Sequence, residues 1–244
     1  MKKTRITDRI TYIQPDSMAQ FSSCAGIIVQ SRARVFIDMN MGREETIGLL
    51  EKEKPDAAVI THYHLDHSVW TRYVADHSRA TVLIPKKEEP YLTSIDDVIA
   101  RTAGPFGMAG PWRDFVENRL GYRPLKAHEC YDDNTSFSDL APEMVALSTP
   151  GHSPAHTSFY FPDDKLLFSG DMGLDRFGPW YGWSDCSILN IEESLLRLDG
   201  LDVHLILTSH GGMIGRTIRQ ALSDSIGHIL KREGRIRDQL NRGL

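Results

Sequence analysis

The stretch Ala57-Ala58-Val59-Ile60-Thr61-His62-Tyr63-His64-Leu65-Asp66-His67-Ser68 decides how this chain is read. Its first four residues are apolar without a break, the pattern of a strand covered on both faces. The rest turns polar and packs His62, His64, Asp66 and His67 into six positions. Loops that leave buried strands are where layered α/β folds place their chemistry. In extended chain, residues i and i+2 point the same way, so His62 and His64 face one ion. Asp66 continues that side, and His67 swings across as the chain turns into a helix expected over Val69 to Ala75. One loop thereby serves two neighbouring ions. Imidazole and carboxylate together suit zinc, iron or manganese. A solvated histidine patch is the competing explanation, but it needs neither a fully apolar strand before it nor an aspartate in the same phase.

The surroundings read as alternating strand and helix. Cys24 to Gln30 and Arg34 to Asp38 are β-rich runs separated by Ser31-Arg32-Ala33, which suits a hairpin. Arg43 to Lys52 reads as a helix with Ile47 and Leu50 on one face, and Thr81 to Ile84 as another buried strand. Strands resume at Met144–Leu147, His156–Phe161 and Lys165–Ser169, the last two joined by Pro162-Asp163-Asp164. A helix is marked by Ile191, Leu195 and Leu198, and a final buried strand by Leu205–Leu207. Ile214, Ile218, Leu222, Ile226 and Ile229 recur at helical spacing and predict an amphipathic C-terminal helix whose charged end frays. Such alternation implies helices layered on sheets. Residues 86–143 differ. Their breakers Gly104-Pro105 and Gly110-Pro111, with short helices expected after Ser94 and Pro111, read as a helical and loop insertion on the core.

Composition narrows the function. The 244 residues carry 28 Lys and Arg against 33 Asp and Glu, a net charge of −5, which argues against a nucleic-acid or anionic-membrane binder. Three widely spaced cysteines, Cys24, Cys130 and Cys186, form no CxxC and read as buried small hydrophobes in a reducing, cytoplasmic setting. The basic start Met1-Lys2-Lys3-Thr4-Arg5 is followed by no apolar run, so neither a secretory leader nor a membrane span is expected.

Three more ligand-type residues follow apolar strands: His152 in Thr149-Pro150-Gly151-His152, Asp171 in Ser169-Gly170-Asp171, and His210 in Thr208-Ser209-His210. Singly each has an ordinary explanation, as a turn histidine or a capping aspartate. Four such sites in order make coincidence improbable. The order HxHxDH, GH, GD, SH resembles the metallo-β-lactamase-fold hydrolase superfamily, and the likeness runs from about Ile10 to Ile218.

The resemblance implies an α/β fold, a four-layer αβ/βα sandwich, as one domain over 1–244 with the 86–143 insertion as a lid. It implies two divalent metal ions, zinc first, with iron or manganese as alternatives. His62, His64 and His152 would hold the first, and Asp66, His67 and His210 the second, with Asp171 bridging. Asp38 matches the acidic residue that the family places behind the metal histidines, although Met39-Asn40 follows it where Thr-Gly is common. His156 matches a histidine of the thioesterase-like branches and is read as support for the site. The implied activity is hydrolysis of an ester, thioester or lactone carbonyl of a small molecule by hydroxide shared between the metals. Asp66 doubles as the group that orients or accepts a proton. Neither GxSxG nor a catalytic cysteine signature is present.

The glyoxalase II-like branch fits the HxHxDH and GHSPAH strings best, but it usually adds a helical C-terminal domain that grips glutathione. The alternatives are a mononuclear-iron enzyme similar to persulfide dioxygenases, and a phosphodiesterase of the same fold. Substrate contacts are expected from aromatic residues on Gly/Pro-rich loops: Phe106 and Trp112 in the insertion, and Trp180 and Tyr181 beyond Asp171.

Overall fold

The computed structural model describes residues 1–16, 23–176, 178–215 and 218–243. Phe177, part of the aromatic loop beyond Asp171, lies outside them. The first sheet holds β1 (Lys2–Arg5), β2 (Ile10–Gln14), β3 (Gly26–Gln30) and β4 (Arg34–Ile37). After α1 (Arg43–Glu53) it adds β5 (Ala57–Val59). Helices α2 (Leu65–Ser68) and α3 (Thr71–His77) lead to β6 (Thr81–Pro85). Then come α4 (Glu89–Thr93), α5 (Ile95–Arg101), α6 (Ala109–Asp114) and β7 (Glu129–Tyr131). The second sheet is built from β8 (Val145–Ser148), β9 (Thr157–Phe161) and β10 (Leu166–Phe168), then α7 (Ile188–Asp199), β11 (Leu205–Leu207) and β12 (Met213–Ile214). Helix α8 (Ile218–Asn241) follows. The strand orders are β1 through β7 in sequence, and β12-β11-β10-β9-β8.

Alternation along the strands sorts side chains into layers. Ile27, Val29, Val35, Ile37, Ala57 and Val59 face inward, where they meet Phe159, Phe161, Phe168 and Leu207 of the second sheet. The opposite phase, including Ile28, Phe36, Ala58, Val82 and Ile84, packs outward against Leu49, Leu50 and Val74 of the first helical layer. Leu147, Leu167 and Ile206 do the same against Ile191, Leu195, Leu198, Leu222 and Ile229 of α7 and α8. The result is helix, sheet, sheet, helix: the four-layer αβ/βα sandwich.

Several boundaries depart from the sequence reading. The helix after the histidine loop starts at Leu65, not Val69, so Asp66 and His67 lie on a helical turn. Ile214 belongs to β12, paired with Ile206, because the buried strand β11 offers it a ladder partner. Helix α8 extends to Asn241. The buried face of α1 is Thr46, Leu49 and Leu50, leaving Ile47 half-buried. The 86–143 segment contributes a strand, β7, which pairs in parallel with β6. Its Tyr91, Leu92, Val98, Val116 and Tyr122 also join the outer core of the first sheet. Of the cysteines only Cys24 is buried; Cys130 sits exposed on the edge strand β7. Among the described residues no helix is long and apolar enough to cross a membrane.

Strand direction positions the site. β4, β5 and β6 run parallel. In the second sheet β10 and β11 are parallel, and β8 shares their direction because both it and β10 pair antiparallel with β9. The loops that follow β5, β8, β10 and β11 carry His62–His67, His152, Asp171 and His210, and they gather at one rim of the sandwich.

Phe159 is completely buried between the sheets. Phe159→Ala is expected to lower the unfolding free energy by about 3–5 kcal/mol through lost burial plus a residual cavity, read as a fall in the urea midpoint at unchanged slope.

Candidate metal centre

Seven side chains converge at the rim as two groups. In the first, ligand atoms of His62, His64 and His152 all lie within 4.8 Å of one another. Those of Asp66, His67, Asp171 and His210 do likewise in the second. Asp171 touches both: its Oδ2 lies 3.3 Å from His67 Nε2, 3.4 Å from His210 Nε2, 3.5 Å from His152 Nε2 and 4.0 Å from His62 Nε2. His64 Nδ1 and His152 Nε2 face each other at 2.9 Å, and His210 Nε2 lies 2.9 Å from Asp66 Oδ2. The structure thus brings together every ligand residue singled out in the sequence.

Three of the rings, His62, His67 and His152, are fixed from behind. Asp38, 1% exposed, accepts hydrogen bonds from Thr61 N (2.9 Å) and Thr61 Oγ1 (2.8 Å), and its Oδ2 lies 2.8 Å from His67 Nδ1. Its backbone takes φ +48°, a conformation that aspartate tolerates better than most residues. The same bend brings its carbonyl so close to β3 that a Cβ on Gly26 would stand 1.6 Å from it, so only glycine fits there. Thr61 Oγ1 lies 2.9 Å from His62 Nδ1, and the Trp180 carbonyl 3.0 Å from His152 Nδ1. The side-chain amide of Asn40 donates to the Asp66 carbonyl at 2.6 Å.

His156 supports Asp171. Burial pushes its imidazole down to about 3, so the ring is neutral. Its Nε2 accepts from the Asp171 backbone N–H at 2.9 Å, which makes Nδ1 the protonated nitrogen, donating to the Thr149 carbonyl at 3.1 Å. Gly170 at φ +57° lets the chain pass over this ring; a Cβ there would lie 2.5 Å from His156 Nε2.

The inward-facing atoms are left over. His62 Nε2, His67 Nε2 and Asp171 Oδ1 are buried without a hydrogen bond. Such groups are costly unless something binds them. A set of imidazoles and ionised carboxylates with their free atoms turned inward fits divalent cations. Protonation follows the same division. Burial, then the imidazoles around it, holds His62 well below the usual histidine range. Burial works against the charges of Asp66 and Asp171, yet neighbouring His67 and His210 keep both below the usual carboxylate range. Burial also opposes protonation of His210, but Asp171 and Asp66 outweigh it and raise the imidazole to about 11. Against its own burial, His67 is likewise raised well above the usual histidine range by Cys24, Asp38, Asp171 and Asp66, so in the second group protons on the imidazoles balance the carboxylates where a cation would otherwise do so.

A cavity of about 460 Å³ opens onto these ligands, and Trp112, Trp180 and Trp183 form much of its apolar wall. The Trp180 and Trp183 rings lie 5.3 Å apart, and Trp180 lies 5.8 Å from both His64 and His152. Of the four aromatics singled out in the sequence, Trp112 and Trp180 line the cavity. Phe106 stands outside it, 60% exposed, against Trp183. Tyr181 turns away to α8, where its hydroxyl meets Glu233 at 3.3 Å and Arg232 covers its ring. Trp183 takes the place expected of Tyr181 in the wall. Thr61 also escaped the sequence reading, since a threonine carries no ligand signal of its own.

A model of the metallo-beta-lactamase superfamily matches residues 37–210, and the chain belongs to that superfamily. It is similar to the probable metallo-hydrolase YflN of Bacillus subtilis (strain 168), 25% identical over 84% of this chain and 86% of that protein. It also resembles a hydroxyacylglutathione hydrolase of Bartonella henselae, 29% identical over 46% of this chain and 32% of the other. In three dimensions it matches a metallo-beta-lactamase family protein, TTHA1429, of Thermus thermophilus at TM-score 0.73 and 20% identity, covering 93% and 81% of the two chains. The chain is thus a hydrolase of the metallo-beta-lactamase superfamily by descent, and it has that superfamily's fold.

Asp38→Ala leaves Thr61 and His67 donors buried and unpaired. It is expected to weaken divalent-cation affinity about 10- to 100-fold and to lower stability by about 1–3 kcal/mol, measured by chelator competition and urea unfolding.

Proposed function

We propose that this chain hydrolyses an ester, thioester or lactone carbonyl of a small molecule at a two-cation centre. The observation that carries this reading is Asp171, whose Oδ2 reaches toward imidazoles of both ligand groups within 4.0 Å. His62, His64 and His152 would hold one cation; Asp66, His67 and His210 the other; Asp171 would join them. Zinc is the first candidate, and iron or manganese meet the same donors. Two such cations supply ionised water at neutral pH and polarise the scissile carbonyl.

The chain's own residues do the rest. Asp66 lines the cavity, where its carboxylate orients the attacking water and takes its proton in passing. The tryptophan wall takes the apolar part of the acyl group and excludes water around it. Val98, Thr102 and Trp112 come to the cavity from the 86–143 segment, which acts as its lid. The hydroxyacylglutathione hydrolase named above supports a thioester among the substrates.

Metal analysis together with a panel of thioesters, lactones, β-lactams and phosphodiesters tests this reading. Two divalent ions per chain and carbonyl hydrolysis abolished by chelation are expected. One iron per chain with oxygen uptake, or turnover that survives complete metal removal, overturns it. His64→Ala should lose nearly all hydrolysis while keeping the circular dichroism of the folded chain. Trp112→Ala should cut kcat/KM about 10-fold for a phenyl-substituted acyl ester and leave the acetyl ester little changed; equal effects on both would remove the tryptophan wall from substrate binding.

A further inference from the structure

Glu88 is a completely buried carboxylate that the metal chemistry does not use. It ends a short 3₁₀ turn, Lys86–Glu88, directly after β6. Burial raises its carboxyl to about 7, against the pull of three hydrogen-bond donors. Its Oε2 accepts the backbone N–H of Tyr63 at 2.7 Å. Its Oε1 accepts the hydroxyl of Ser153 at 2.5 Å and the backbone N–H of Ala155 at 2.8 Å. Tyr63 stands between His62 and His64, and Ser153 follows His152. One side chain thus holds the peptide between the first two ligands of the His62/His64/His152 group and the residue after the third.

The position matters because these loops belong to different sheets. The Tyr63 loop leaves the first sheet at β5, and the Ser153 loop lies between β8 and β9 of the second. Neither segment is held by a strand ladder there, although Thr157 N–H donates to the Thr61 carbonyl at 3.1 Å just beyond. The second ligand group is secured differently: Asp38 holds His67, His156 holds Asp171 and Asn40 holds the Asp66 carbonyl. A buried carboxylate is costly, and an apolar side chain would fill the space with less penalty. A carboxylate does what an apolar residue cannot: two oxygens receive donors arriving from both sheets.

We infer that Glu88 is a positioning residue that braces the His62/His64/His152 group across the two sheets and sets its affinity for a cation without contacting one. The inference rests on the two-cation reading above. Its signature is selectivity: loss of the brace loosens one ligand group and spares the other.

The test uses the full chain, stripped of metal and titrated with Zn²⁺ against a chromogenic chelator. In a His210→Ala background the first group is the intact one; in a His152→Ala background the second group is. Glu88→Gln keeps the volume but sets an amide N–H₂ against one of the donors. It is expected to weaken Zn²⁺ binding about 10- to 100-fold in the His210→Ala background and to leave binding in the His152→Ala background unchanged. Ser153→Ala, which removes a single bond, should show a smaller loss with the same selectivity and serves if Glu88→Gln does not fold. Equal weakening in both backgrounds, or none in either, overturns the brace while leaving the two-cation reading standing. Failure of the unmodified chain to bind two cations sinks that reading, and the brace with it.

Discussion

Everything at the rim depends on one carboxylate oxygen. Asp171 Oδ2 lies within 4.0 Å of imidazoles that arrive after three different strands: His62 and His67 after β5, His152 after β8 and His210 after β11. Beyond the 2.9 Å contact of His64 Nδ1 with His152 Nε2, these imidazoles have little reason of their own to crowd together in a dry place. A central anion supplies that reason. Each ligand group draws side chains from both sheets, and Asp171 is the residue within reach of both groups.

Such a cluster is unfavourable in itself. His62, His64, His67, His152, Asp38 and Asp66 are withdrawn from water, and several inward atoms have no hydrogen bond. The sandwich beneath tolerates this because its inter-sheet layer is closed by whole aromatic side chains: Tyr12, Phe159, Phe161 and Phe168 are fully buried. Each contributes about 1.5–3 kcal/mol on burial, which offsets strained or unsatisfied groups confined to one edge. The rim is also stiffened by carboxylates and rings outside the ligand set. Asp38, His156 and Glu88 each commit their polar atoms to ligand-bearing loops, so the ligands are arranged before any ion arrives.

The cavity follows from the same geometry. Its floor is the ligand cluster, and its wall comes from two distant stretches, Trp112 before β7 and Trp180 with Trp183 before α7. Backbone direction chose among the aromatics. Trp180 lends its carbonyl to His152 and its ring to the cavity, while its neighbour Tyr181 is committed to α8.

The candidate ligand residues and the strands that present them were legible in the linear order, which by itself implied helices layered on sheets; the four-layer class came from the family resemblance of the ordered motifs. A buried β-strand leaves an unbroken apolar run, and a ligand loop leaves clustered imidazoles at its end. These are local patterns, and the structure brings the residues they singled out, His62 to His67, His152, Asp171 and His210, to one rim. The supporting groups were not legible. Glu88 sits among charged neighbours in Lys86-Lys87-Glu88-Glu89 and looks like any exposed acid; only the approach of a second sheet makes it a buried brace. Likewise Ile214 carries helical spacing but pairs with Ile206, and Trp183 rather than Tyr181 faces the cavity. The amino-acid order by itself determined which chemistry this protein carries, because donor type and strand pattern are short-range properties. Which groups orient that chemistry, and which rings surround it, was decided by contacts between segments far apart in the chain, which only the packed structure brings within hydrogen-bond reach.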